Sequence, residues 1–313
     1  MRPTDDTPRP AVLKWLLNAD PAIRWQVMRD LTDASPAAIA AERARVATEG
    51  WGAQLLARQS PDGTWPEGQW DLVTLWSLIV LKDLGLDPTS PQARTMIDRV
   101  QKHLVFKPLD NRPFLHGETE PCINGRILAI GAWLNQPNDP LAPQLLTEQL
   151  PDGGWNCEAP KSQRSSFHTT LCVLEGLLDN ERAGRNSTTL TRARQRAETY
   201  LLERHLFRSL RTGNIIDKRW LRFAYPPFWH YDVLRALDYF RNAYPNPDDR
   251  ILNPVQDAIN VVRQRRHQNG RWPLNLLHPE HIPVQMETAA GSASRWNTLR
   301  ALRVLRWHNN ATT

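Results

Sequence analysis

Cysteine and histidine side chains lie at the starts of three apolar stretches that follow one another along the chain. The segments read Glu120-Pro121-Cys122, Phe167-His168 and Trp229-His230, and Trp155-Asn156-Cys157 precedes the second of them. Thiolate and imidazole are ligands suited to tetrahedral zinc, and a helix N-terminus favours the thiolate that metal binding requires. We expect Cys122, Cys157 and His168 to bind zinc, with His230 as a fourth ligand or as a base beside the metal.

Apolar residues at helical spacing predict the elements that must hold these side chains. No stretch alternates like a strand, and in each pair of predicted helices the second is the more apolar. The predicted pairs are 11–17 with 21–31, 36–58 with 70–84, 91–105 with 122–134, 141–149 with 167–178, 190–205 with 230–240, and 254–268 with 295–307. The sequence therefore predicts an all-α fold of about six helical hairpins, with the apolar second helices forming an inner wall.

A glutamine, glycine and tryptophan pattern recurs between these helices. The three copies are Gln59-Ser-Pro-Asp-Gly63-Thr-Trp65, Gln149-Leu-Pro-Asp-Gly153-Gly-Trp155 and Gln268-Asn-Gly270-Arg-Trp272. Internal repetition of this kind indicates an array of similar units, in which each tryptophan packs as an apolar plug. If the hairpins close into a ring, all inner helices run parallel and their N-termini meet at one mouth, which brings the cysteines and histidines together.

These repeats resemble those of the terpenoid cyclases and protein prenyltransferase β-subunits, a superfamily that shares a squalene cyclase-like α/α toroid of six hairpins. The resemblance spans residues 36–308, and residues 1–35 add an N-terminal helical pair to a single domain of 313 residues. In prenyltransferase β-subunits, an Asp-x-Cys at the start of one inner helix and a His at the start of the next bind a catalytic zinc. Glu120-Pro121-Cys122 and Phe167-His168 look like these two elements, with Glu in place of Asp, His168 about one residue out of register, and no counterpart for Cys157. The resemblance implies the same metal but not the same substrate.

Other polar and aromatic residues near the predicted mouth have two interpretations. Glu120 and Asp232, together with His230, could orient ligands or relay protons, or they could simply stabilise helix N-termini. Aromatic side chains could line a cavity that holds an isoprenoid chain or a cation, or they could form a tryptophan-rich core without a cavity. The residues expected at such a cavity are Trp70, Asn124, Trp229, Tyr231 and Trp296.

The remaining candidate ligands have simpler interpretations. Cys172 lies four residues after His168 and is expected to be a small core side chain. The other histidines considered have no comparable partners in the sequence and are expected at the surface or in loops, namely His116, His205, His267, His278 and His281.

Composition narrows the class of protein. A chain of 313 residues with 41% hydrophobic residues can bury a sizeable core, and 13 Trp are a heavy load of aromatic surface. The net charge of +6 comes from arginines dispersed along helices, which favours a solvated face over nucleic-acid binding. No signal peptide is recognisable, and the apolar run Leu72–Leu81 is too short to span a bilayer, so we expect a cytoplasmic protein.

The sequence-based hypothesis is a zinc-dependent enzyme that activates a thiol or water, for alkyl transfer or related chemistry on a small molecule. The Asp-x-Asp-Asp motif with which squalene-type cyclases protonate their substrate does not occur in the chain, which disfavours protonation-initiated cyclisation. Two other classes stay open: a non-catalytic toroid that binds an isoprenoid or a protein and holds a structural zinc, and a basic repeat protein on nucleic acid.

Overall fold

The helices of this chain alternate along the sequence with short loops. The computed structural model describes residues 6–65, 72–136 and 140–312, and within them one short antiparallel pair of strands, β1 (Val105–Phe106) and β2 (Arg112–Pro113), accompanies the helices. The α-helices are α1 (Pro10–Leu17), α2 (Pro21–Leu31), α3 (Pro36–Ala44), α4 (Gly50–Ala57), α5 (Leu72–Leu84), α6 (Pro91–His103), α7 (Pro121–Trp133), α8 (Leu141–Thr147), α9 (Phe167–Arg182), α10 (Thr188–Leu202), α11 (Val233–Ala243), α12 (Asp249–Gln264) and α13 (Arg295–Thr312). The predicted all-α class is confirmed.

Local sequence explains where these helices begin. Serine or aspartate side chains accept a backbone N–H of the first turn at many N-termini, and proline occupies the first turn at others, where its missing N–H costs nothing. The capping side chains are those of Asp20, Ser35, Ser90, Ser166, Ser187, Asp232 and Asp248.

Alternate helices close into a ring. The inner helices α5, α7, α9, α11 and α13 pack against one another in chain order, and α13 packs back against α2. The last gap is closed by hydrogen bonds from α2 to the end of α5, because Trp25 Nε1 donates to the Leu84 carbonyl at 2.8 Å and Gln26 Nε2 donates to the Asp83 carbonyl at 3.0 Å. With α1, α4, α6, α8, α10 and α12 outside them, the described helices form six hairpins of an α/α toroid.

The inner helices run parallel, since like ends meet like ends. At the N-terminal ends, the Tyr231 backbone N–H just before α11 donates to His168 Nδ1 in the first turn of α9, at 2.9 Å. Towards the C-terminal ends, Lys82 of α5 pairs with Asp179 of α9 at 2.7 Å, and Arg303 of α13 pairs with Asp238 of α11. Residues that are remote in sequence therefore converge at each end of the ring.

The repeated tryptophans join each outer helix to the next inner helix through what we call the tryptophan latch. Each indole N–H donates at 2.7 Å to the backbone carbonyl ten residues earlier, so that Trp65, Trp155 and Trp272 bond to Leu55, Leu145 and Val262. Each tryptophan backbone N–H donates to a threonine hydroxyl of the following inner helix, that of Thr74, Thr170 or Thr298. The glycine of each repeat has a positive φ of 82° to 99°, a conformation that favours glycine.

Helices α7 and α9 approach each other more closely than side chains would allow. A Cβ on Gly125 of α7 would lie 2.6 Å from the Cys172 carbonyl oxygen of α9, and a Cβ on Gly176 of α9 would collide with the Gly125 carbonyl. Beside this contact, the Glu175 carboxylate lies between the buried guanidinium groups of Arg126 and Arg235. Burial would raise the pKa of Glu175, but the two arginines lower it to about 2.

One predicted helix is divided in the structure. The predicted helix 36–58 is divided into α3 and α4, because the Asp20 carboxylate accepts the Trp51 backbone N–H at 2.8 Å and fixes a new helix start. Predicted residue Trp70 lies outside the described residues. None of the described helices is both long and apolar enough to cross a membrane.

Candidate metal centre and substrate cavity

A cavity of about 660 Å³ opens at the N-terminal ends of the inner helices. This volume lies within the range of small-molecule sites. Its wall is mostly apolar and aromatic, formed by Leu72, Leu75, Trp76, Phe106, Pro108, Leu109, Phe114, Ile123 and Trp229. Polar side chains converge on it from the starts of α7 and α9 and from the loops beside them: Glu118, Thr119, Glu120, Cys122, Asn156, Cys157, Glu158, Ser166, His168, Thr169 and Glu280.

Two sulfurs and one carboxylate come together on this wall. Glu120 is the N-cap residue of α7, Cys122 lies in the first turn of that helix, and Cys157 follows the Trp155 latch by two residues. One potential ligand atom from each of Glu120, Cys122 and Cys157 lies within 4.8 Å of the other two. We call these three residues the sulfur group. Two thiolates and a carboxylate are a donor set that zinc accepts, so the residues present fit this metal.

The two thiols of the sulfur group perturb each other. Hydrogen bonding between the Cys122 and Cys157 thiols, together with burial, raises the pKa of Cys122 far above its ordinary value. The same hydrogen bond lowers the pKa of Cys157, and the Thr169 hydroxyl, 3.4 Å from the Cys157 sulfur, lowers it further. Of the two thiols, Cys157 is therefore the one that ionises more readily.

His168 lies on the same wall but outside the sulfur group. Its Nδ1 accepts the Tyr231 backbone N–H at 2.9 Å, and its ring packs against Trp229 with 5.2 Å between centroids. Burial, followed by the charges of His230 and Arg235, lowers the pKa of His168 to about 4, so the ring is neutral at neutral pH. A neutral imidazole that accepts at Nδ1 carries its proton on Nε2. His168 is therefore a hydrogen-bond donor at Nε2 and is not one of the three residues of the sulfur group.

His230 lies in the loop before α11 and joins a second group of side chains. Its Nε2 lies 2.9 and 3.0 Å from the two oxygens of Glu280, and its ring stacks on His278 with 3.6 Å between centroids. Trp229 Nε1 donates to Glu280 at 2.5 Å. Burial would raise the pKa of Glu280, but the hydrogen bonds from His230, its own backbone and Trp229 lower it to about 2, whereas burial lowers that of His278 to about 4.

Sequence reasoning did not identify His278 and Glu280 as site residues. They lie in the long loop between α12 and α13, which has no helical periodicity and yet folds against the mouth. His278 lies in a loop, as expected, but it has a partner there, because its ring stacks on His230. Two ligand-type residues spaced as His278-Pro279-Glu280 were the signal that could have revealed them.

Four other predicted residues do not line the cavity. Asp232 is 3% exposed and is the N-cap of α11, where its carboxylate accepts the Arg235 N–H, so its environment corresponds to the capping interpretation. Buried Asn124 accepts a backbone N–H of the preceding turn. The buried Tyr231 hydroxyl donates to a backbone carbonyl, and Trp296 stacks on Tyr225 inside the core. Of the predicted cavity residues that the structure describes, Trp229 is the one that faces the cavity.

The charged side chains described on the cavity wall are carboxylates. Among the residues that the structure describes, four carboxylates line it and no lysine or arginine does: Glu118, Glu120, Glu158 and Glu280. Such a wall attracts cations and repels anions.

The chain is similar to known proteins in its structure rather than in its sequence. No protein-family model matches the chain, and no curated protein matches it. A protein from Actinoplanes has a similar structure, with a TM-score of 0.46, 16% identity, and coverage of 93% of this chain and 90% of that chain. The type II terpene cyclase MstE from Scytonema is also similar, with a TM-score of 0.47, 14% identity, and coverage of 97% of this chain and 99% of that one. A variant of MstE in complex with geranylgeranyl dihydroxybenzoate has a TM-score of 0.47 at 15% identity, over 93% of this chain and 87% of that one.

Proposed function

We propose that this protein is a zinc-dependent enzyme that acts on an uncharged apolar small molecule, of isoprenoid type, with a thiol or water as nucleophile. The observation that carries the proposal is the sulfur group on the wall of a mostly apolar cavity of about 660 Å³. Glu120, Cys122 and Cys157 would hold the metal. Zinc, when bound there, lowers the pKa of a thiol or water and so supplies a nucleophile at neutral pH.

Three protein ligands support catalysis over a purely structural metal. Structural zinc sites are usually closed by four protein ligands, whereas catalytic sites have three and keep one position open. Within the described residues, the sulfur group supplies three donor atoms beside the open cavity. A non-catalytic toroid with structural zinc is therefore the less favoured function.

His168 is the histidine that lines the cavity, and it differs from His230 in this respect. Its Nε2–H is free of the backbone contact that occupies Nδ1, and the side chain lines the cavity. We propose that it donates a hydrogen bond from Nε2 to a polar atom of the substrate and so stabilises negative charge that develops there. The Tyr231 N–H fixes the ring for this task, and the His230 contact with Glu280 holds the loop that carries Tyr231.

The sign of the wall charge restricts the substrate. A prenyl diphosphate carries several negative charges. It would face Glu118, Glu158 and Glu280, and a zinc site in which two thiolates and one carboxylate outweigh the charge of the ion, without a lysine or arginine among the described lining residues. We therefore propose a neutral leaving group in place of diphosphate. Binding of farnesol and of farnesyl diphosphate, followed by tryptophan fluorescence, tests this point: tighter binding of the diphosphate would contradict it.

Metal analysis of the purified protein tests the proposal as a whole. We expect one equivalent of zinc that Cys122→Ser and Cys157→Ser both lose. Cys172→Ala is the matched control, because this third cysteine is buried outside the sulfur group and its loss should leave the zinc in place. Folded wild-type protein that takes up no zinc, or zinc retained in both serine variants, would refute the proposal.

A further inference from the structure

The second group of ligand-type side chains at the mouth has a composition of its own. His230 comes from the loop before α11, and His278 and Glu280 come from the loop between α12 and α13. One potential ligand atom from each lies within 4.8 Å of the other two. We call these three residues the histidine group. It contains no sulfur and shares no residue with the sulfur group.

The distances between His230 and Glu280 are compatible with two neighbouring ligands of one metal ion. Ligands about 2.1 Å from an octahedral ion lie about 3.0 Å apart when they are adjacent, and about 3.4 Å apart around a tetrahedral one. The His230 Nε2 atom lies 2.9 and 3.0 Å from the Glu280 oxygens, close to the octahedral value. The rings of His230 and His278 are parallel, with 4° between their planes, so one ring must tilt for both nitrogens to reach the same ion.

A further hydrogen bond fixes the carboxylate of this group. Trp229 Nε1 donates to Glu280 Oε1 at 2.5 Å, while both carboxylate oxygens face His230 Nε2, at 3.0 and 2.9 Å. Hydrogen bonds of this kind commonly orient ligand carboxylates in metal sites. Because Trp229 and Glu280 both line the cavity, an ion held here would face the same space as the sulfur group.

A simple clamp is the competing explanation for the His230 and Glu280 pair. A hydrogen-bonded pair alone would pin the loop between α12 and α13 to the start of α11 without further residues. The parallel His278 ring is not needed for that purpose, yet it brings a second nitrogen donor within reach. Two imidazoles and one carboxylate are the donor set of mononuclear sites for divalent first-row metals with open positions.

We propose that His230, His278 and Glu280 form a second metal site, which binds one divalent first-row transition ion of the class of Mn²⁺, Fe²⁺ or Co²⁺. The nitrogen and oxygen donors suit such ions, whereas the thiolates of the sulfur group favour zinc. The second ion would face the same cavity and bind a polar atom of the same substrate. This inference stands on the geometry of the histidine group alone and does not require zinc in the sulfur group.

Titration of chelator-treated full-length protein with Mn²⁺ and Co²⁺ tests the second site. We expect wild-type protein to bind one Mn²⁺ per chain, followed by electron paramagnetic resonance. His278→Ala and Glu280→Gln should each weaken Mn²⁺ binding by about 100-fold or more. His281→Ala is the matched control, since this exposed histidine of the same loop lies outside the group and its replacement should leave Mn²⁺ affinity unchanged.

The two metal proposals fail in different ways. Cobalt in the sulfur group gives a thiolate-to-cobalt charge-transfer band that Cys157→Ser abolishes, whereas cobalt in the histidine group gives none. We expect Mn²⁺ binding to persist in Cys157→Ser. Two results would overturn the second site and leave the zinc proposal untouched. In the first, folded wild-type protein binds Mn²⁺ and Co²⁺ nowhere except at the sulfur group. In the second, Mn²⁺ affinity is unchanged in both His278→Ala and Glu280→Gln.

Discussion

The close contact between α7 and α9 predicts that Gly125→Ala weakens both the fold and the proposed zinc site. The added methyl carbon would lie 2.6 Å from the Cys172 carbonyl oxygen and from Val173 Cα. Carbon atoms in ordinary contact are about 3.5 Å apart, so the two helices must separate by about 0.9 Å. Cys122 lies one turn before Gly125, and the separation therefore moves it away from Cys157.

The magnitude follows from what the methyl group meets. Overpacking costs about 1–3 kcal/mol, and the upper end applies here because backbone atoms cannot rotate aside. Alanine recovers about 1 kcal/mol through its higher helix propensity, which leaves a net loss of about 2 kcal/mol in the free energy of unfolding. We expect zinc affinity to fall by about 10-fold or more, as is found when a metal ligand loses its support.

Urea denaturation and zinc competition with a chromophoric chelator measure the two effects. Gly184→Ala is the control: its methyl group meets nothing within 4 Å, and its φ of 77° limits the cost to backbone strain of about 1–2 kcal/mol, without loss of zinc affinity. If Gly125→Ala has wild-type zinc affinity and a free energy of unfolding within about 0.5 kcal/mol of wild type, the helices are not held together as described.

Three further substitutions test other contacts by urea denaturation. Burial raises the pKa of Glu287 from 4.5 to about 7, so its stabilising contribution is present below pH 4.5 and lost as the pH rises through 7. Glu287→Gln should therefore raise the free energy of unfolding by about 2 kcal/mol at pH 8 and change it little at pH 4. An equal change at both pH values would contradict the raised pKa. Trp155→Phe leaves the buried Leu145 carbonyl without its donor and should cost about 3 kcal/mol. Glu175→Gln leaves two buried arginines unneutralised and should cost about 3–5 kcal/mol. An unchanged free energy of unfolding in either variant would mean that the contact contributes nothing.

The helical ring could be predicted from sequence because its signals are local and repeated. The pattern that ends in Trp65, Trp155 and Trp272 marks where each outer helix turns back, and the tryptophan latch explains why it recurs. Once the inner helices are parallel, the meeting of Cys122 and Cys157 at one mouth follows from topology.

The rest of the site depends on information that is not local. The orientation of the His168 imidazole is set by the Tyr231 N–H, 63 residues away. No spacing in the sequence encodes that hydrogen bond. Likewise, His278 and Glu280 reach the mouth through a loop whose path is determined by its contacts with Trp229 and His230. The division of 36–58 into two helices has the same origin, because it depends on Asp20 of an earlier turn.

The tryptophan latch has a consequence for how this protein can acquire new chemistry. Each latch secures the backbone with bonds made by the tryptophan and a threonine, and Cys157, two residues past Trp155, takes no part in them. The residue that stabilises the scaffold and the residue proposed to bind the metal are therefore different positions of one short segment. Laboratory evolution that randomises position 157 should therefore yield folded proteins with altered ligand preference at high frequency, because exchanging this side chain leaves both latch bonds of Trp155 in place.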